Sequence, residues 1–195
     1  MNILKGLLIV VLPFLVISCS TTNSIYQPSS PVGLINQAPS SIDNFVYSDS
    51  KVYPSESLGY LLRYRTKSNG LADVYVYPVP KQLIDKTHGD IVKAMTSSAV
   101  ADIRELESQG LYKNFNIIKQ DYEVTGQKST GKVYATVVNK GLNTSTALYL
   151  TEDKGKLFKI RISEPNSELS QVQPYWNSFA NDMFSFLTTH NIPNQ

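Results

Sequence analysis

The chain has 195 residues, a formal net charge of +2, and 42% hydrophobic against 17% charged residues. That balance suits one globular domain of ordinary size rather than a disordered chain, and it gives no general electrostatic case for nucleic acid. The single cysteine, Cys19, rules out an intrachain disulfide framework, so the domain depends on its own apolar core.

Lys5 precedes a largely apolar run from Leu7 to Ile17, which ends at Ser18 and Cys19. A basic start, a short apolar core and small residues at its end make a secretory signal. The run falls short of the roughly 20 residues that span a bilayer. The segment Val16-Ile17-Ser18-Cys19 resembles the lipobox of bacterial lipoproteins. That resemblance implies removal of residues 1–18, transfer of diacylglycerol to the Cys19 thiol, and acylation of the new N-terminus with a fatty acid such as palmitate. Each buried CH₂ contributes about 0.8 kcal/mol, so several chains anchor firmly where one is marginal. Ser20 stands where an aspartate would favour inner-membrane retention in the Gram-negative sorting pattern. The resemblance therefore implies a bacterial outer-membrane lipoprotein facing the periplasm.

Residues 20–41 are rich in Ser, Asn, Gln and Pro and carry no charge. With no apolar periodicity, and with Pro28, Pro31 and Pro39 interrupting any helix, residues 19–42 are expected to form a lipidated, flexible tether. A coil of about 20 residues spans on the order of 25 Å. A single domain is expected over residues 43–191.

Gly59 to Arg65 alternates, with Tyr60, Leu62 and Tyr64 opposite Leu61, Arg63 and Arg65. Ala72 to Tyr77 alternates likewise, with Val74 and Val76 opposite Asp73, Tyr75 and Tyr77. The intervening Asn69-Gly70 pair is a hairpin signal, and Pro78 and Pro80 close the second strand. From His88 to Gln109 the period changes. Ile91, Val92, Met95, Ala99, Ile103 and Leu106 make one helical face, with Thr87 as N-cap, Asp90 in the first turn and Gly110 as terminator. Four strands follow, over residues 115–124, 132–139, 145–151 and 156–163, joined by short turns that imply antiparallel neighbours. A last helix is expected over residues 173–189, with Pro174 in its first turn. The order β-β-α-β-β-β-β-α predicts an α+β domain, an antiparallel β-sheet with two packed α-helices.

Motifs for chemistry are sparse. Residues 126–132 (GQKSTGK) match most of a phosphate-binding loop, but Val133 stands where the Mg²⁺-holding hydroxyl belongs and the segment joins two strands, so no nucleotide is expected. His88 and His190 lack local carboxylate or nucleophile partners, so neither metal nor cofactor is expected. Asp121 and Glu123 share one side of a strand, whereas a hydrolase needs two carboxylates facing each other across a cleft. Seven tyrosines (60, 64, 75, 77, 122, 134 and 149) sit in strands, where either packing or a half-wet binding face accounts for them.

Arg63 and Arg65 share one strand face, and Lys159 and Arg161 share another. If the sheet brings all four together, they form a cationic patch for an envelope protein or an anionic envelope polymer. The folded part also resembles the PsbP-like fold group in its element order and in the strand end Val74-Tyr75-Val76-Tyr77-Pro78. That group implies an accessory or binding role and transfers no site residue. The expectation is thus a non-enzymatic lipoprotein, anchored through Cys19, that serves as an accessory or binding module. The alternatives are a carboxylate-based envelope hydrolase and a small-ligand carrier with an enclosed apolar cavity.

Overall fold

The computed structural model describes residues 31–125 and 128–190. Helix α1 (Pro31–Gln37) is followed by strands β1 (Ser41–Ile42), β2 (Phe45–Val52), β3 (Tyr60–Arg65) and β4 (Leu71–Pro78). Helix α2 (His88–Ser108) leads into β5 (Lys113–Thr125), β6 (Lys128–Asn139), β7 (Leu142–Asp153) and β8 (Lys156–Pro165), and α3 (Leu169–His190) completes the order. Among the described residues the eight strands form one sheet, ordered β1-β2-β3-β4-β8-β7-β6-β5, and every neighbouring pair is antiparallel. The fold is α+β, as the element order predicts.

One long-range pairing joins two runs of sequential hairpins into this sheet. Strand β4 pairs with β8, with Asp73 opposite Arg161 and Tyr75 opposite Lys159. The long helices then cover opposite faces. Val172, Trp176, Phe179, Met183 and Leu187 of α3 pack with Leu62, Tyr64, Val74, Tyr134, Tyr149 and Ile160. Ile91, Val92 and Ala99 of α2 pack instead with Leu148, Leu150, Val133 and Leu157. Tyr149 alternates with Leu148 and Leu150 along β7, and successive strand side chains point to opposite faces. The α3 face holds the larger core. There Phe45 and Phe179 meet with ring centroids 4.4 Å apart, and the Tyr134 and Tyr149 hydroxyls both donate to Asn177 Oδ1, at 2.7 and 3.0 Å.

Local signals account for most of the boundaries. The Thr87 hydroxyl accepts from the Asp90 N–H at 3.2 Å, so Thr87 caps α2 as its sequence position suggests. Gly110 follows α2 with φ +75°, a conformation that costs glycine little. Gly131, expected in a turn, lies inside β6 beneath α2. A Cβ there would come within 2.3 Å of Thr96 Oγ1, so the missing side chain lets the helix approach the sheet closely.

The structure departs from expectation in three places. Part of the expected 19–42 tether is folded: α1 occupies residues 31–37, Leu34 is 1% exposed in the main core, and Tyr64 donates its hydroxyl to Pro39 O at 3.0 Å. Pro31 opens α1 rather than breaking it, because a first-turn residue needs no N–H partner, and the packed chain reaches back beyond Asp43. Strands β1 and β2 are additional. A register shift between Tyr47 and Asp49 interrupts the alternation of β2, which hid it. Helix α3 starts at Leu169, so Pro174 lies inside it rather than in its first turn. The buried Val172 rewards the added turn. Residues 1–30, with Cys19 and the expected signal, lie outside the described residues, as does Asn191.

Replacing Leu34 with Ala should lower the unfolding free energy by about 2–5 kcal/mol, the usual cost of emptying a buried leucine site. A denaturant melt is the check. A midpoint unchanged from that of the parent protein would mean that α1 does not pack.

Candidate functional site

The β4–β8 register decides where the four candidate cations lie. Arg63 and Asp49 pair across β2 and β3, Arg63 and Asp73 across β3 and β4, and Asp73 and Arg161 across β4 and β8. One row across four strands therefore reads Asp49–Arg63–Asp73–Arg161. The next row reads Lys51–Leu61–Tyr75–Lys159, and the row on the other side reads Val46–Arg65–Leu71–Ser163. Cross-strand partners point to the same face, so Arg63, Arg65, Lys159 and Arg161 share one. It is the face that α2 packs on, but α2 lies mainly over β5, β6 and β7. Arg65 is exposed, and Arg63, Lys159, Arg161, Tyr75 and Tyr77 are half-buried.

The charges on this face are organised. Arg63 donates from Nε to Asp73 Oδ1 at 2.7 Å and from Nη2 to Asp73 Oδ2 at 2.9 Å, a two-pronged pair. That hydrogen bonding raises the Arg63 pKa further. The Tyr75 hydroxyl also reaches Asp73 Oδ2, at 3.4 Å. Arg161 donates from Nη2 to the Tyr112 hydroxyl at 3.0 Å and lies 5.3 Å from the Tyr112 ring centre. Lys159 Nζ sits 4.7 Å from the Tyr75 ring centre and 5.6 Å from that of Tyr77, and Lys51 Nζ sits 4.9 Å from that of Tyr53. Cations over ring faces are attracted by the ring quadrupole. Burial lowers the Lys159 pKa and pushes the Tyr75 and Tyr77 phenols up to about 12.

The seven strand tyrosines divide between the two roles. Tyr60, Tyr64, Tyr134 and Tyr149 belong to the α3-side core. Tyr75 and Tyr77 join the cationic face, and Tyr122 is exposed near Lys93 of α2, whose Nζ is 5.9 Å from its ring centre.

The remaining candidates are placed differently. Asp121 and Glu123 share one side of β5, as expected, but each pairs with a lysine: Lys119 with Asp121 at 2.5 Å and Lys132 with Glu123 at 2.7 Å. Both carboxylates are thus engaged in ion pairs along one strand face rather than facing another acid across a cleft. Residues 128–132 of the loop-like motif run along β6, so no helix N-terminus follows them. His88, which has no local partner in the sequence, meets the buried Glu152 of β7, whose Oε1 also accepts the Gly155 N–H at 2.8 Å. The two are 64 residues apart, beyond any local pattern. His190 lies against the Phe186 carbonyl at the end of α3. No group of three or more His, Cys, Asp or Glu suited to a metal occurs among the described residues. A void between α2 and the sheet, lined by Ile103, Phe115, Leu148 and Arg161, has a volume of about 10 Å³. That is room for about one water molecule; larger hollows, such as one of about 340 Å³ lined by Tyr53, Gly59, Tyr77 and Lys156, lie open at the surface.

No protein-family model matches the chain, and no curated protein matches it in sequence. In structure the chain is similar to cyanobacterial PsbP (CyanoP) from Synechocystis sp. PCC 6803, with a TM-score of 0.49, 16% identity, and coverage of 71% of this chain and 80% of that one. It is also similar to PA94 of Pseudomonas aeruginosa, a protein of unknown function described as a putative regulator (TM-score 0.40, 10% identity, 68% and 78% covered). A third similar structure is the Ran-binding protein Mog1p of Saccharomyces cerevisiae (TM-score 0.38, 14% identity, 68% and 74% covered). The resemblance is one of fold.

Two outcomes follow from this face. Asp73→Ala leaves Arg63 without its two charge-assisted hydrogen bonds and should cost about 1–3 kcal/mol in a denaturant melt, more than Asp73→Asn. Tyr75 and Tyr77 hold their protons more tightly when folded than the ordinary phenol value of about 10. Their stabilisation is complete below pH 10 and is lost as pH rises from about 10 to about 12. Lys159, with its lowered pKa, acts in the opposite sense, so Tyr75→Phe should flatten the alkaline decline in unfolding free energy.

Proposed function

We propose that this protein is a lipid-anchored binding module of the bacterial envelope, without catalytic activity, held at the outer membrane through Cys19 and facing the periplasm. The half of the α2-side sheet face that carries Arg63, Arg65, Lys159 and Arg161 receives an anionic partner, either an envelope protein or an anionic envelope polymer. The observation that carries this reading is the β4–β8 register, which gathers cations from separate strands beside Tyr75 and Tyr77. Arg and Tyr are enriched where proteins bind partners, because both combine broad contact surfaces with directional polar groups. The lysine pairing of Asp121 and Glu123 weighs against the carboxylate hydrolase. The anchor rests on the lipobox resemblance. Among the described residues no helix is long and apolar enough to cross a membrane.

Two experiments bear on separate parts of this reading. Cys19→Ala should abolish incorporation of labelled fatty acid and move the protein out of the membrane fraction; unchanged labelling contradicts the anchor. In-cell cross-linking of the full-length protein should capture one dominant envelope component. Reversing the charge of Arg63, Arg65, Lys159 and Arg161 should abolish that capture, while reversing Lys119 and Lys132 on the other face should not. Equal capture by both variants would rule out the face.

A further inference from the structure

Strand β5 is the long outer edge of the sheet. Among the described residues its one strand neighbour is β6, and the opposite edge is the short β1. An unpaired edge is a template for another chain, and proteins blunt it with bulges, bound groups or covering elements. The first half of β5 is blunted in this way. Register shifts fall between Lys113 and Asn116 and between Ile117 and Lys119, and Glu107 Oε1 accepts the Phe115 N–H at 2.8 Å. The second half is not. From Lys119 to Thr125 every residue pairs with β6 without a shift, and the outward backbone groups of residues 119–124 meet no partner among the described residues. Tyr122 and Val124 are exposed there, Val124 to 71%.

The charges on this edge complement their own reverse. Lys119, Asp121 and Glu123 point away from α2, on the side of Tyr134 in the α3-side core. Helix α3 lies over β7 and β8, so the Lys119 and Glu123 side chains stay open, at 59% and 57% exposure. We infer that a second copy of this chain pairs with β5 antiparallel over residues 119–123, with the two-fold axis at Asp121, so that the two sheets continue into one. Lys119 then lies opposite the partner's Glu123, and the symmetry makes that pair twice. Neither group is saturated beforehand. Glu123 binds Lys132 through Oε2 alone, and the Lys119 ammonium has three donors, one of them on Asp121 Oδ2. On the α2 side Gln120 lies opposite the partner's Tyr122, which makes the two Tyr122 rings diagonal neighbours within aromatic reach. The two Asp121 carboxylates meet once, at the axis, where each is flanked by its own Lys119 at 2.5 Å and by its register neighbour Lys132.

The adjacent symmetric registers are poorer. An axis at Gln120 limits regular pairing to residues 119–121, because the bulge between Ile117 and Lys119 then faces the partner. An axis at Tyr122 sets Asp121 opposite the partner's Glu123 twice, and like charges directly opposite destabilise a strand pair. The contact is short, which puts the dimer at the weak end of specific interfaces. It is independent of both the anchor and the cationic face.

The test is sedimentation velocity of the full-length protein in a mild detergent, at protein concentrations up to about 100 µM, a range that reaches weak dimers. The parent protein should dimerise. Lys119→Glu and Glu123→Lys should each weaken the dimer about ten-fold or more, since two exposed pairs become two repulsions. An equimolar mixture of these two variants should dimerise again, because each supplies the charge the other has lost. Arg65→Glu, on the cationic face, should leave the dimer unchanged, and melting curves establish that each variant is folded. A parent protein that stays monomeric throughout this range overturns the inference. A dimer that withstands both charge variants, or a mixture that does not recover, overturns the assignment of the contact to this edge and register.

Discussion

The pairing of β4 with β8 is the constraint on which the rest of the architecture depends. It joins residues nearly 90 positions apart, Asp73 to Arg161 and Tyr75 to Lys159. Without it the chain is two hairpin groups, each with one half-covered face. With it, α3 closes over a core contributed by both groups, Leu62 and Val74 from one and Tyr149 and Ile160 from the other. Side-chain direction alternates at every residue, so a slip of one position would carry Ile160 and Ile162 to the wrong face and Lys159 and Arg161 into the core. The cost of burying unpaired charge is large, and that cost fixes the register as firmly as the apolar contacts do.

The polar groups around the main core show the same economy of partners. Asn177 accepts from two tyrosine hydroxyls at once. The buried Glu164, near the end of β8, accepts from the Ser68 hydroxyl in the β3–β4 turn and from the Tyr175 hydroxyl of α3, the latter at 2.5 Å. A carboxylate taken from water needs such donors to be tolerated, and here they tie a hairpin and a helix to one strand end. On the other face, Asp73 does similar work between Arg63 and Tyr75. The difference is that the surrounding tyrosines and cations remain partly open to solvent.

Much of this was legible in the sequence because the period-two and helical patterns were clean where burial is one-sided. Strands β3 and β4, α2 and its Thr87 cap, and the α3 stripe were all placed from residue spacing. Strand β2 was not, since its bulge at residues 47–49 and its polar run Ser48-Asp49-Ser50-Lys51 erase alternation at a sheet margin. Helix α1 is hidden in the sequence by the prolines and serines around it, which read as linker, although Leu34 fills a core site. For the candidate face, the sequence supplied the four cations and the condition under which they meet. It did not supply Asp73 as the ion-pair partner of Arg63, or Asp49 as its register neighbour on β2, because those relations exist only once the strands are aligned. The His88–Glu152 pair was illegible for the same reason: nothing local links them.

The most direct test of the account is the β4–β8 register measured in solution by nuclear Overhauser effects between backbone protons. The account predicts cross-strand contacts pairing Asp73 with Arg161 and Tyr75 with Lys159, with none shifted by one residue. Contacts pairing Asp73 with Ile160 or Ile162 would place Lys159 and Arg161 on the opposite face, dissolve the alternating row, and contradict both the core and the proposed binding surface.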